Sequence, residues 1–176
     1  MKHYDFAAQF HALYNQAVTR FAAGHRGADA MFTGEETAFL RANGLTAQHL
    51  YDYAEDHNNY DGEPGFAVAL AIESLRRDYF LNAQAGKPSA AVLDEAALPA
   101  KTESVQGIEW LPRLIPKARA KLRGELPTSL MYCCGGDRRF FKQHDIFPAE
   151  FLNLVWRSGD DTAAIVRWVA ARSAAK

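Results

Sequence analysis

The sequence predicts an all-α fold of two small apposed helical parts joined by a surface connector. Apolar residues recur at helical spacing in several separate stretches, and no stretch sustains the apolar–polar alternation of a half-buried strand. Caps and breakers fall between those stretches at helix-like intervals. Apolar residues make up 48% of the 176 and charged residues 23%, the balance of a globular chain able to bury its own core.

The first helix is expected from Tyr4 to Ala23, where Phe6, Phe10, Leu13, Tyr14, Ala17, Val18 and Phe21 share one face, and Gly24 stops it. The following HRGADAMF reads as loop. Thr33 and Glu36 form a capping-box pattern for a second helix ending at Asn43-Gly44, and Thr46 is the next N-cap. A third helix carrying Leu50, Tyr53 and Ala54 runs into DHNNYDGEPG, whose Asn, Asp, Gly and Pro are turn formers. The fourth helix, from about Gly65 to Ala83 with Pro64 in its first turn, contains FAVALAI and is expected to be central. Residues 85–107 lack periodicity and read as the connector. The boundary is placed near 105, giving an N-terminal helical region of residues 1–104 and a C-terminal helical region of residues 105–176. In the C-terminal region, a helix begins near Pro112 or Pro116 and ends at Gly124, its basic residues mostly solvated. A short helix started by Asp137 carries Phe140 and Phe141. Another is opened by Pro148, and the last follows Asp160-Asp161 and buries Ile165, Val166, Trp168 and Val169. Trp110, Trp156 and Trp168 are expected in the core.

No apolar run approaches the roughly 20 residues of a membrane-spanning helix, and MKHYDFAAQF lacks the pattern of a signal peptide, so the expected location is the cytoplasm. Cys133 and Cys134 are adjacent and are expected to be free thiols. The net charge of -1 hides an asymmetry: 8 basic against 14 acidic residues in 1–107, and 12 against 7 in 108–176. Opposite charges of that size favour docking of the halves over an anionic partner.

WLPRLIPKARAKLRGEL is followed by Tyr132-x-Cys134-x-x-Asp137-x-x-Phe140-Phe141 and a closing DDTAAIVRWV. In those residues and that order the C-terminal third resembles the bacterial domain-of-unknown-function 5069 family. The family's commoner Cys-Pro-Leu-Asp is here Cys134-Gly135-Gly136-Asp137, a looser segment. The N-terminal portion looks like an extension seen in longer members. The resemblance implies a bacterial source and carries no activity with it.

Four constellations bear on chemistry. Cys134 with Tyr132, Asp137 and His144 has the residue types of a nucleophilic or redox thiol, although Asp137 is more simply an N-cap and Cys134 a small buried residue. His49, Asp52, Asp56 and His57 with Glu63 and Glu73 have metal-ligand chemistry, but the Glu-x-x-His pairs of di-iron bundles are absent and no metal site is assigned. Glu73, Arg76, Arg77 and Tyr79 in the apolar fourth helix are candidates to bind a carboxylate or phosphate. A Glu73–Arg77 pair, or pairing with Asp52 or Asp56, is the simpler reading of those charges. Arg113, Lys117, Arg119, Lys121, Arg123, Arg138, Arg139 and Lys142 are candidates for a basic surface, but nothing in the sequence has the pattern of a DNA-binding motif, and nucleic acid is not an expected partner. Gly135-Gly136 makes no phosphate loop.

The expected function is a binding or interaction module with a small-molecule pocket between the helical parts. The alternative is a small enzyme using Cys134, His144, Glu73 and Arg77. A small-molecule ligand or a protein is the expected partner, a membrane is not, and no cofactor is assigned.

Overall fold

The computed structural model describes residues 3–174. Among these residues the chain forms nine α-helices: α1 Phe6–Ala22, α2 Ala28–Met31, α3 Gly34–Ala42, α4 Ala47–Asn59, α5 Phe66–Asp78, α6 Leu111–Arg123, α7 Gly135–His144, α8 Pro148–Ser158 and α9 Thr162–Ala174. The strands among the described residues are a two-residue antiparallel pair, β1 Ser104–Val105 and β2 Ile108–Glu109. The fold is mostly α, as the periodicity predicts. No described helix is long and apolar enough to cross a membrane.

The chain divides into two compact units, one ending at Lys87 and the other beginning at Pro88. In the first unit, α1 buries Phe6, Phe10, Leu13, Tyr14, Ala17 and Phe21 and packs mainly on α4, which contributes Leu50, Tyr53 and Ala54. The expected loop after Gly24 contains the one-turn helix α2, which buries Met31. A single apolar residue within four leaves no period to read. Helix α4 runs on through Asp56–Asn59, past the point where turn chemistry predicts its end. Tertiary contact supports the extra turn: Asn58 donates to the Val18 and Ala54 carbonyls, and the Tyr14 hydroxyl lies 3.3 Å from His57 Nδ1.

Helix α5 departs most from expectation. Pro64 lies before it, Gly65 is its N-cap, and the five residues after it, Tyr79–Ala83, form a π-helical turn. Its buried face consists of Ala69, Ile72, Glu73, Arg76 and Arg77, whereas Phe66, Val68, Leu70 and Ala71 are half-buried. FAVALAI is therefore one covered stripe with apolar flanks, and the charged residues belong to the covered side.

In the second unit the segment after Pro88 is tied to α6 and its end. Leu93 N–H donates to the Glu125 carbonyl, Ser89 to the Glu125 carboxylate, and Arg113 to the Pro99 carbonyl. Helices α6 and α8 pack together, with Leu111, Leu114, Ile115, Phe151, Leu152 and Val155 buried. Asp161 caps α9 by accepting from Ala164 N–H at 2.9 Å. Ile165, Val166 and Val169 are buried there, but Trp168 is half-buried, as are Trp110 and Trp156. None of the three tryptophans is a core residue in the full sense.

Thr33 and Glu36 form the expected capping box, and Arg20 of α1 grips both carboxylate oxygens of Glu36 at 2.8 and 2.9 Å. The Arg20 hydrogen bonds hold the Glu36 carboxyl below its ordinary pKa against the opposing effect of burial, with the Thr33 N–H adding to the depression. A carboxyl depressed in the folded state stabilises above its unfolded pKa, and the contribution is lost as pH falls through the folded value. Glu36→Gln keeps a capping side chain and removes the charge. It is expected to be less stable than the parent at neutral pH, with the gap closing on acidification. Urea unfolding followed by circular dichroism reads both, and a pH-independent gap would contradict the assignment.

Candidate functional site

Helix α6 starts at Trp110, whose backbone is left-handed at φ 70°, and ends at Gly124, also left-handed. Its buried face includes Lys117 and Lys121 beside Leu114, Ala118 and Leu122. This corrects, for the two lysines, the expectation that the basic residues of this helix are mostly solvated. Lys117 and Lys121 stand three and seven residues after Leu114, on the apolar stripe itself, so their spacing carried the signal.

The loop after α6 delivers Tyr132 and Cys133 into the core and leaves Cys134 partly exposed as the N-cap of α7. Asp137 is not the cap. It is the third residue of the helix, fully buried, and it accepts from three directions: Lys117 Nζ at 2.7 Å, Cys133 N–H at 2.8 Å and Trp110 Nε1–H at 2.9 Å. Cys133 takes φ 71° to aim its N–H this way, a conformation an L residue adopts only when its surroundings enforce it. The positive end of α7 adds to the stabilisation of the carboxylate.

Lys117 also donates to the Cys134 sulfur at 3.2 Å. Burial opposes the charge on Lys117, but Asp137 and the Cys134 sulfur together more than offset it, so its pKa lies above the ordinary lysine value. Arg138 donates to the Cys133 carbonyl at 2.8 Å. The Cys133 thiol, by contrast, is pushed far up by burial and by the Asp137 charge. Of the two adjacent cysteines, Cys133 is buried and Cys134 is partly exposed.

Residues 96–176 match the family model of a domain of unknown function, DUF5069. Residues 1–95 lie outside that match. The matched range begins well before the motif residues that carry the resemblance and takes in the hairpin. No curated protein and no solved structure matches the chain at a significant level.

The matched region contains an open cleft of about 410 Å³ between the β1–β2 hairpin and α7, lined by Lys101, Glu109, Trp110, Gly136, Arg139 and His144 among others. A Cβ at Gly136 would overlap the Trp110 ring, so the glycine allows the indole to lie against the first turn of α7. His144 is at the far end of the same helix, with Nδ1 2.7 Å from Ser173 Oγ. The Ser173 hydroxyl also lies 2.8 Å from the Val169 carbonyl, one turn earlier on α9. Tyr132 is buried against Phe141 and gives its hydroxyl proton to the Pro148 carbonyl; burial, with Cys133 and Asp137 nearby, raises its pKa well above that of a free phenol.

Of the predicted quartet, the structure joins Cys134 and Asp137 through Lys117. Tyr132 is directed to α8 and His144 to α9. Lys117, Trp110, Lys101 and Arg139 were not among the predicted catalytic or ligand-binding residues. Of the eight residues of the postulated basic surface, Lys117, Lys121 and Arg138 are buried.

The predicted ligand-binding residues Glu73, Arg76, Arg77 and Tyr79 belong to the first unit. Glu73 is fully buried, accepts from the Tyr53 hydroxyl at 2.8 Å and lies 3.4 Å from His49 Nδ1. Arg77 donates to Asn43 Oδ1 at 2.6 Å and stands over the Phe6 ring; Arg76 donates to Gln84 Oε1 at 3.0 Å and stands over Phe80. Tyr79 is half-buried in the π-helical turn. Asp52 accepts from Gln48 at 2.6 Å. Among the described residues no three His, Cys, Asp or Glu side chains converge as metal ligands.

All three tryptophans lie in the second unit, so tryptophan fluorescence reports its unfolding selectively. Removing one member of a buried ion pair costs about 3–5 kcal/mol. Lys117→Met leaves Asp137 with two donors, whereas Asp137→Ala strands an ammonium and two N–H groups at once. Urea unfolding is expected to rank Asp137→Ala as the more damaging, with the double variant losing less than the sum. Equal or reversed single effects would show that Asp137 is not the hub of this cluster.

Proposed function

We propose that the second unit is a small-molecule-binding module whose site is the cleft between the hairpin and α7. The observation that carries this reading is the cleft itself: a concavity of about 410 Å³ that joins a half-buried indole to several polar side chains, within the usual range for small-ligand sites. Its walls are supported from behind, because Trp110 is held by Asp137 and α7 is tied to α6 through Lys117. Native mass spectrometry of gently purified protein, compared with a Gln143→Trp variant that fills the cleft from an exposed position on α7, tests it. A co-purifying adduct in the parent that is absent from the folded variant is the expected result. A clean apo mass for both, or an adduct kept by Gln143→Trp, would overturn the reading and return attention to a protein partner.

A second reading, an enzyme or redox protein acting through Cys134, rests on the 3.2 Å contact from Lys117 to its sulfur. An ammonium donated to sulfur beside a helix N-terminus stabilises charge that develops there. On this reading Cys134 of the native protein reacts with iodoacetamide faster than a free thiol at neutral pH, and Cys134→Ala abolishes the labelling while Cys133 stays protected until unfolding. Labelling no faster than that of a free thiol removes the enzyme reading.

A further inference from the structure

We propose that the ligand of this cleft is a planar organic anion, a ring bearing a carboxylate or phosphate, seated against Trp110 with its charge at Arg139 and Lys101. The inference rests on the small-molecule reading and specifies what that site would take.

The arginines of the second unit are mostly engaged by acceptors of their own chain. Arg113 donates to the Pro99 carbonyl, Arg119 to Gly159 and Thr162, Arg123 to Glu125, Arg138 to Cys133, and Arg172 pairs with Glu150. Arg139 and Lys101 differ. Both are exposed, both line the cleft, and no side-chain hydrogen bond or ion pair joins either to another described residue. A guanidinium at a cleft wall offers a planar fork suited to a carboxylate or phosphate, and a nearby ammonium adds a point charge.

The apolar complement is Trp110, with the largely buried Phe140 and Ile108 also in the lining. The indole is held at two places, by its N–H on Asp137 and by the lack of a side chain at Gly136. A ring fixed in this way presents its remaining surface at low entropic cost to a flat partner. Gln143, one turn beyond Arg139 on α7, adds a neutral donor and acceptor. The opposing feature is Glu109, an exposed carboxylate on β2 that also lines the cleft. It sets the alternative outcome, because a cleft governed by Glu109 would select a cation.

Benzoate, benzamide and benzamidine share a ring and nearly a shape but carry charges of opposite sign or none. Each is titrated into the full-length protein at millimolar concentration, and the Trp110 indole N–H resonance, assigned by Trp110→Phe, is followed by NMR. Benzoate is expected to shift it progressively, benzamide less, and benzamidine not at all. Arg139→Glu should weaken the benzoate effect by about tenfold or more, and Glu109→Gln should strengthen it. Unchanged Trp156 and Trp168 indole positions show that each variant is folded. If benzamide or benzamidine shifts Trp110 as strongly as benzoate, the anion assignment is wrong while the cleft remains a binding site. If none of the three moves it, the planar-anion inference fails, and an adduct lost from Gln143→Trp in native mass spectrometry would still uphold the cleft.

Discussion

A carboxylate with no exposed surface must be met by donors on its open sides, or the cost of removing it from water expels it. Asp137 meets this condition with three donors from three pieces of chain: the start of α6 at Trp110, the middle of α6 at Lys117 and the loop residue Cys133. Each donor has a structural consequence. Lys117 is drawn into an apolar face, and Cys133 and the Trp110 N-cap are both left-handed, at a cost of about 1 kcal/mol or more apiece for an L residue. The loop, the helix before it and the helix after it thereby become one piece.

The first unit reaches a comparable arrangement with different chemistry. Glu73 is fully buried in α5, and Tyr53 and His49 of α4 approach its two oxygens. Arg77 and Arg76 are buried on the same helix, their guanidinium groups over the rings of Phe6 and Phe80. Gly44 is left-handed, and a Cβ there would overlap Phe80, so the turn after α3 and the π-helical turn after α5 pack at a spot that admits no side chain. In each unit apolar burial makes the helices adhere, and a buried charge with dedicated partners fixes which residues face which.

What the sequence made legible is local. Thr33 with Glu36, Thr46, Asp161 and Gly124 mark helix ends because capping involves residues at most a few positions apart. The partners of long charged side chains lie farther off. Lys117 and Asp137 are 20 positions apart, as are Tyr53 and Glu73, and Arg77 reaches Asn43, 34 positions away. Asp is a common cap, and the pattern at Asp137 points to one; the actual cap, Cys134, makes no side-chain capping bond and leaves no such mark. The cleft was illegible for a different reason. It depends on a four-residue hairpin turn and on the ring of Trp110, and neither has a period.

The hub and the cleft occupy successive turns of one helix. Asp137 is held from behind, while Gly136, Arg139, Phe140, Gln143 and His144 of α7 line the opening. All of these, with Lys101, Trp110, Lys117 and Cys133, fall within residues 96–176, so the region matched by the family contains both the wall and its support. The glycines of this chain then acquire a physical meaning. Gly136, before the aspartate, has no side chain, and the Trp110 indole occupies that space. A leucine in this position would displace the ring and with it the N–H bonded to Asp137. Gly136 thus leaves room for an aromatic wall, held by the same carboxylate that organises the unit.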